Sequence, residues 1–318
     1  MPIFNMAFKT RDANSAMNIV NLFKTIPGER LGQPTFGSVL HEIVFEPMEE
    51  DFTDMMQGAI KRARETWLPY INIKNIEKNL IVIPVRMAST RLPRKPLLEI
   101  EGIPMVVRVA RQAIKSEIGK VVVACCDEEV FDVVTKYGLI AVMTSPELES
   151  GTDRVYKALE IIDTSEESDV IINLQGDYPT INPSSIRTLL SSFSDPSIKI
   201  ATLASIIKNE KERDDINVVK VVIANNNSGG DALYFSRYPV PYGDGLLYHH
   251  IGIYAFTNIA LTKYVKLARS KLEIQRNLEQ MRALENNLII KVGLSDSLPL
   301  GVDTEEDLAK VSKEMKLL

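Results

Sequence analysis

The stretch IVIPVRMASTRLPRKPLLEI, residues 81–100, sets a run of strand-forming residues directly before a loop that carries Arg86, Arg91, Arg94 and Lys95. Residues 81–85 are apolar at consecutive positions rather than alternating, the pattern of a strand buried on both faces and so of a parallel sheet covered by helices. In such sheets ligands bind beyond the carboxyl ends of the strands. The four cations fall in that place. The 318-residue chain has a formal charge of −5, which gives no general attraction to nucleic acid or an anionic membrane, so an anion site must be built locally. The amides of the MASTR turn, the hydroxyls of Ser89 and Thr90 and the cations Arg86, Arg91 and Lys95 suit a polyphosphate, and a triphosphate is the simplest ligand with that much charge. A merely solvated basic loop is the alternative. Pro84, Pro93 and Pro96 argue against it, because hydrated side chains need no stiffened backbone.

Outward from this strand the chain repeats strand, loop and helix. NLIVIPV, KVVVACC, LIAVM and DVIINL are short, β-rich and apolar on both faces, and they alternate with the helical stretches PMVVRVARQAIKS, DEEVFDVVTKYG and GTDRVYKALEII. That rhythm predicts an α/β domain with a doubly wound, mixed but mostly parallel sheet. IATLASI, VVKVVIA, DALYFSR and IGIYAF follow without helical crossovers and predict an antiparallel extension, before helices near 257–286 and 303–315. The character changes near residue 77, so two domains are expected, a small α+β module over 1–76 and the larger domain over 77–318. In the module, Phe52, Met56, Ala59, Ile60, Ala63 and Trp67 share one face of a helix running from about Glu49 to Trp67, and YINIKNI alternates as a short strand.

No apolar run approaches membrane-spanning length, so no membrane partner is expected. Cys125 and Cys126 are the only cysteines. Adjacent and within an apolar run, they have neither disulfide nor metal spacing and read as small strand residues in a reducing cytoplasm. The N-terminal MPIFNMAFKTRDANSAM lacks the apolar core of a secretory signal, which also points to the cytoplasm.

Further strand-end loops carry candidates. NLQGDYP ends a buried strand on Asp177, and LGVDTEEDL places Asp303 before a helix. Carboxylates there can hold Mg²⁺ against phosphate oxygens, although each alone also suits helix capping. ESGTDR offers Ser150, Gly151 and Thr152, which can bind a base edge through main-chain groups or simply open a helix.

Together, IPVRMASTRLPRKPL, SGTDR, NLQGDYP, NVVKVV, ALYFSR, HIGIYAF, LEQMR and GVDTEEDL, in this order between about Leu80 and Met315, resemble the 3-deoxy-manno-octulosonate cytidylyltransferase (CMP-KDO synthetase) family. The resemblance implies transfer of CMP from CTP to the acidic sugar KDO, giving CMP-KDO and pyrophosphate for lipopolysaccharide synthesis, with Mg²⁺ as cofactor. It implies that Arg86, Arg91 and Lys95 hold the triphosphate beside Ser89 and Thr90, that Ser150 and Gly151 lie by cytosine, and that Asp177 and Asp303 ligate Mg²⁺. Arg237, His250, Tyr254, Glu279 and Gln280 would surround the sugar acid, with Arg237 taking its carboxylate in bidentate fashion. A homodimer formed through the antiparallel region is also implied. Four positions depart from the family pattern: Tyr178 stands for a glutamate, Leu148 for a histidine, Arg94 for a glycine and Arg276 for an acidic residue. Without the resemblance, Tyr254 reads as core, His250 as a satisfied structural residue, and Glu279, Gln280 and Arg282 as the solvated side of a polar helix.

Residues 10–76 resemble instead the phage baseplate-wedge family of contractile tails, related to tail-lysozyme-type wedge components. Gly28, Glu29, Arg30, Pro34, Phe36, Gly37 and the FEP stretch carry this resemblance. It implies assembly with baseplate proteins and no catalysis, and because that family continues into further strands the module is expected to be truncated. The alternative function is therefore a virion baseplate assembly protein whose transferase-like domain is a passenger or binding module. The full set of phosphate and metal candidates favours the enzyme.

Overall fold

The computed structural model describes residues 78–88, 91–163, 168–224 and 229–316. The elements expected within 1–76, the baseplate resemblance and the hydroxyls of Ser89 and Thr90 lie outside the described residues.

β1 (Asn79–Pro84) is buried along its whole length. Its side chains alternate between two cores, Ile81 and Ile83 in one, Leu80 and Val82 in the other. At about 1.5–3 kcal/mol per buried Ile or Val, such a strand has to be covered on both faces. After the cationic loop a short hairpin of β2 (Glu99–Ile100) and β3 (Ile103–Pro104) leads into α1 (Met105–Lys115). β1 pairs in parallel with β4 (Lys120–Cys125) and with β6 (Val170–Asn173), so that Ile81 lies opposite both Val121 and Ile172. β5 (Ala141–Met143) extends this parallel set beyond β4. α1 and α2 (Glu128–Lys136) cover one face and α3 (Gly151–Ile162) the other. This is the doubly wound arrangement expected.

The second half departs from expectation in its details. α4 (Pro183–Ser191) crosses between β6 and β7 (Ile200–Ile206), where the sequence announces no helix. Asn182 caps it by accepting from the Ser184 amide and Pro183 opens it, while only Ser185, Ile186 and Leu189 are buried, too few to mark a period. β10 (Tyr248–Thr257) lies antiparallel between β6 and β7. β11 (Ile290–Leu294), a stretch left between two helical regions by the sequence, runs parallel to β7, so the extension is mixed rather than antiparallel throughout. β9 (Gly229–Ser236) is antiparallel to β11 and to β8 (Lys220–Ala224). His249 of β10 also pairs with Lys220, which curls this end of the sheet back on itself.

The helical region near 257–286 is three pieces, α6 (Asn258–Val265), α7 (Lys271–Arg276) and α8 (Met281–Glu285), with the short α5 (Glu210–Asp214) standing earlier, before β8. Asn277 ends α7 at φ 51°, a left-handed position that asparagine tolerates. α9 (Glu305–Met315) closes the described chain. Leu92, Ile100, Met105, Val302 and Val311 form a third small core that ties the cationic loop to α9 and to the turn before it. Cys125 and Cys126 are free thiols, and among the described residues no helix is long and apolar enough to cross a membrane.

Candidate active site

The loops after β1 and β6, the N-terminus of α3 and the turn before α9 meet at a cleft of about 430 Å³. Arg86, Arg91, Lys95, Ser150, Gly151, Asp177 and Asp303 all line it. Lys95 and Asp303 are 208 positions apart in sequence, so topology alone unites them. Two local devices set the loops. A Cβ at Gly176 would press into the Val85 side chain, so only glycine lets the β6 loop lie against the β1 loop and bring Asp177 forward. On the other side the Met87 amide donates to Asp127 Oδ2 at 3.0 Å, fixing the cationic loop to the end of β4.

The Lys95 ammonium donates to Asp177 Oδ2 at 2.7 Å and to Asp303 Oδ1 at 2.8 Å, and Arg91 pairs with Asp303 Oδ2 at 3.2 Å. Burial acts to lower the Lys95 pKa, but Asp177 and then Asp303 outweigh it and hold the ammonium above its ordinary value. Burial acts to raise the Asp303 carboxyl, yet Lys95 and Arg91 hold it below its ordinary value. Both groups are charged at neutral pH. Two carboxylates from separate loops that already share one cation are a donor set a hard divalent cation can use, and such a cation takes its remaining ligands from water and phosphate. Among the described residues no cluster of three or more His, Cys, Asp or Glu groups is placed to hold a metal.

Ser150 does both things the sequence leaves open. Its hydroxyl accepts from the Asp153 amide at 3.1 Å and so caps α3, and it lines the cleft. Arg154 and Gln175 also line the cleft and are not among the expected site residues. Arg154 is buried, donating to Thr144 Oγ1 and to the Ser145 carbonyl. The SGTDR and NLQGDYP blocks contained both residues, but neither residue type signals a buried cleft wall from sequence.

Tyr254, Glu279 and Gln280 come together at a second, smaller cavity of about 40 Å³, shared with Thr152, Asn173 and Gln175. The Tyr254 hydroxyl is buried there without a hydrogen-bond partner, and burial holds it well above the usual phenol range. Burial likewise raises the Glu279 carboxyl. A third cavity of about 230 Å³ shares Ser150 and Gly151 with the cleft and Glu279 with the small cavity, so the three adjoin.

Arg237 and His250 line none of these cavities. Arg237 donates instead to the carbonyls of Ile216 at 3.2 Å and Asn277 at 3.4 Å. His250 is buried with Nε2 3.0 Å from Thr202 Oγ1. The single hydroxyl proton of Thr202 goes to the Ile253 carbonyl at 2.8 Å, so Nε2 is the donor. Burial, then the charge of His249, pushes His250 down to about 3, and it is neutral. It pins the register shift between Ile251 and Tyr254, and such a bulge re-aims the residue that follows it. Of the four departures only Leu148 lines the cleft. Tyr178 accepts from the Gly252 amide at 3.3 Å and lies against Gly301, joining β10 to the Asp303 turn. Arg94, at φ 57°, pairs with Glu129, and Arg276 is exposed on α7.

A family model described as Cytidylyltransferase matches residues 80–292. The 3-deoxy-manno-octulosonate cytidylyltransferase of Sinorhizobium medicae (strain WSM419) is 48% identical over 244 residues, covering 76% of this chain and 98% of that protein. The protein of the same name from Bradyrhizobium sp. (strain ORS 278) is 50% identical over 234 residues, covering 73% and 94%. The structure of CMP:2-keto-3-deoxy-manno-octonic acid synthetase complexed with CTP matches with a TM-score of 0.70 and 38% identity, covering 76% of this chain and 99% of that one. The baseplate resemblance of residues 10–76 finds no support among these relatives, which the family match joins only from residue 80. With the phosphate-type cations and both carboxylates in one cleft, and with about half of all positions shared along nearly the whole of these relatives, the chain belongs to the 3-deoxy-manno-octulosonate cytidylyltransferase family.

Proposed function

We propose that this chain transfers CMP from CTP to the anomeric hydroxyl of KDO, releasing pyrophosphate, in lipopolysaccharide synthesis. The observation that carries this reading is the convergence of Arg86, Arg91, Lys95, Asp177 and Asp303 on one cleft walled by Ser150 and Gly151. Arg86, Arg91 and Lys95 neutralise the triphosphate, and Ser150 and Gly151 lie against the cytosine. The sugar hydroxyl oxygen attacks the α-phosphorus in line, the bond to the bridging oxygen of pyrophosphate breaks, and the hydroxyl proton passes to solvent. Asp177 and Asp303 would hold Mg²⁺, which when bound supplies charge neutralisation at the phosphate oxygens. Tyr254, Glu279 and Gln280 hold the sugar acid, and the unpartnered Tyr254 hydroxyl supports a polar ligand at that place. The free thiols of Cys125 and Cys126 and the use of CTP fit a cytoplasmic setting. Pyrophosphate release from CTP and Mg²⁺ should rise well above background with KDO among a panel of sugar acids. Release with none of them overturns the reading.

Residues 1–76 form, on this reading, a module outside the catalytic unit of 77–318. A chain starting at residue 77 keeps the Lys78 carbonyl that accepts from the Asp169 amide at 2.7 Å beside β1. It should turn over CTP and KDO at the rate of the full chain. A folded but inactive truncation would end the two-module reading. The exposed Leu233, Tyr238 and Leu246 of the β8 to β10 region support a homodimer through that region, and sedimentation velocity at micromolar protein should find a two-chain species. A monomer there would remove it.

A further inference from the structure

Next to the small cavity lies a group of buried polar side chains to which the proposed chemistry gives no task. Glu273 is 3% exposed and Arg282 5%. Arg282 grips Glu273 side-on through one edge of its guanidinium, Nε to Oε2 at 2.8 Å and a terminal nitrogen to Oε1 at 2.7 Å. The same guanidinium lies over the Tyr264 ring, 5.1 Å from its centre. Tyr264 is itself buried, and its hydroxyl donates to the Glu279 carbonyl at 2.9 Å with the Glu279 carboxyl at 3.4 Å. From the other side, Arg237 donates to the carbonyl of Asn277, two residues before Glu279.

This is a costly arrangement unless each part restrains the next. A buried carboxylate needs its cation, the cation is held flat by two bonds and a ring, and the ring carries one hydroxyl aimed at one carbonyl. The carbonyl belongs to the link between α7 and α8, where it also accepts from the Arg282 amide at 3.1 Å, so the Tyr264 hydroxyl and the Arg282 main chain converge on it. We infer that Tyr264 and Arg282 are positioning residues for the sugar-acid subsite, fixing the main chain at Glu279 so that its side chain meets the substrate in one orientation. The inference rests on the reading of Glu279 as a sugar contact. It also gives Arg282, in the LEQMR block, a task that a solvated helix face would not.

The test measures KM for KDO and for CTP separately in Tyr264→Phe, Arg282→Lys, Glu279→Gln and the Tyr264→Phe/Glu279→Gln pair. Tyr264→Phe keeps the ring under Arg282 and removes one hydrogen bond, so KM for KDO should rise about three- to tenfold, with KM for CTP unchanged. Arg282→Lys keeps the charge but loses the two-point grip, and should move the same KM in the same direction. Because Tyr264 acts through Glu279, the double variant should be little worse than Glu279→Gln alone. If Glu279→Gln leaves KM for KDO unchanged, the subsite reading fails and the inference with it. If Glu279→Gln raises it while Tyr264→Phe does not, or if Tyr264→Phe moves both KM values together, the subsite stands and the inference is overturned.

Discussion

Asp177→Asn and Asp303→Asn should each lower kcat by about two to three orders of magnitude, the scale seen when one preorganised electrostatic group is removed from an active site. The carboxamide keeps shape and volume, so what is lost is one negative charge facing Lys95 at 2.7 or 2.8 Å. Helix capping, the other role open to these residues from sequence, does not explain such a loss. Thr304 caps α9 in a reciprocal pair with Asp307, and Asn182 caps α4, so neither aspartate carries a helix. The fold should therefore survive both changes. The two variants should differ in one respect, because Asp303 also holds Arg91 at 3.2 Å whereas Asp177 does not. Asp303→Asn should then raise KM for CTP as well, since Arg91 is left unrestrained in the cleft proposed for the triphosphate. Mn²⁺ binding in the presence of CTP, followed by electron spin resonance, should weaken in both. Near-normal turnover with intact Mn²⁺ binding in either variant would remove that residue from the proposed metal site.

What the sequence discloses about this molecule follows from how local each signal is. β1 is legible because the five buried residues 80–84 make an apolar run that no half-exposed element would carry. The cationic loop is legible because its prolines and cations are contiguous. α4 is hidden because its start depends on an Asn-Pro cap and its core contact on few side chains. β11 is hidden because its reason for being a strand is β7, some ninety positions away and parallel to it. Among site residues, those in the loops after β1 and β6, at the start of α3 and before α9 reach the cleft, while Tyr254, Glu279 and Gln280 reach the small cavity from mid-strand and from the link before α8. Arg237 and His250 line neither, Arg237 donating to the Ile216 and Asn277 carbonyls and the buried His250 to Thr202. Glu273 and Arg282 illustrate the limit most clearly. Their spacing of nine residues across a helix break at Asn277 carries no periodic signature, so a buried ion pair looks like two exposed charges.

That pair also sets a large stability effect. Arg282→Met should cost about 3–5 kcal/mol of unfolding free energy near neutral pH, because it leaves the Glu273 carboxylate buried without the partner that occupies both its oxygens. Ser270 and Arg269 still donate to it, at 3.1 Å each, but Arg269 is half exposed and cannot replace a buried two-point contact. Replacing both members, as Arg282→Met/Glu273→Met, should recover most of the loss, since two apolar side chains of similar size need no counter-charge. The pH dependence has a definite sign. In the intact protein burial acts to raise the Glu273 carboxyl, but Arg282, Ser270 and Arg269 together hold it below its ordinary value of 4.5. A depressed carboxyl contributes stability above that ordinary value and loses it as pH falls through the folded one. Without Arg282 the burial contribution loses its strongest opponent and the carboxyl is released to take a proton. The deficit of Arg282→Met relative to the intact protein should thus be greatest at about pH 7 and shrink toward about pH 4. Urea unfolding of the three proteins at those two values measures it. A deficit below about 1 kcal/mol, the level of an exposed ion pair, or one equally large at both pH values, would mean that Arg282 is not neutralising a buried carboxylate.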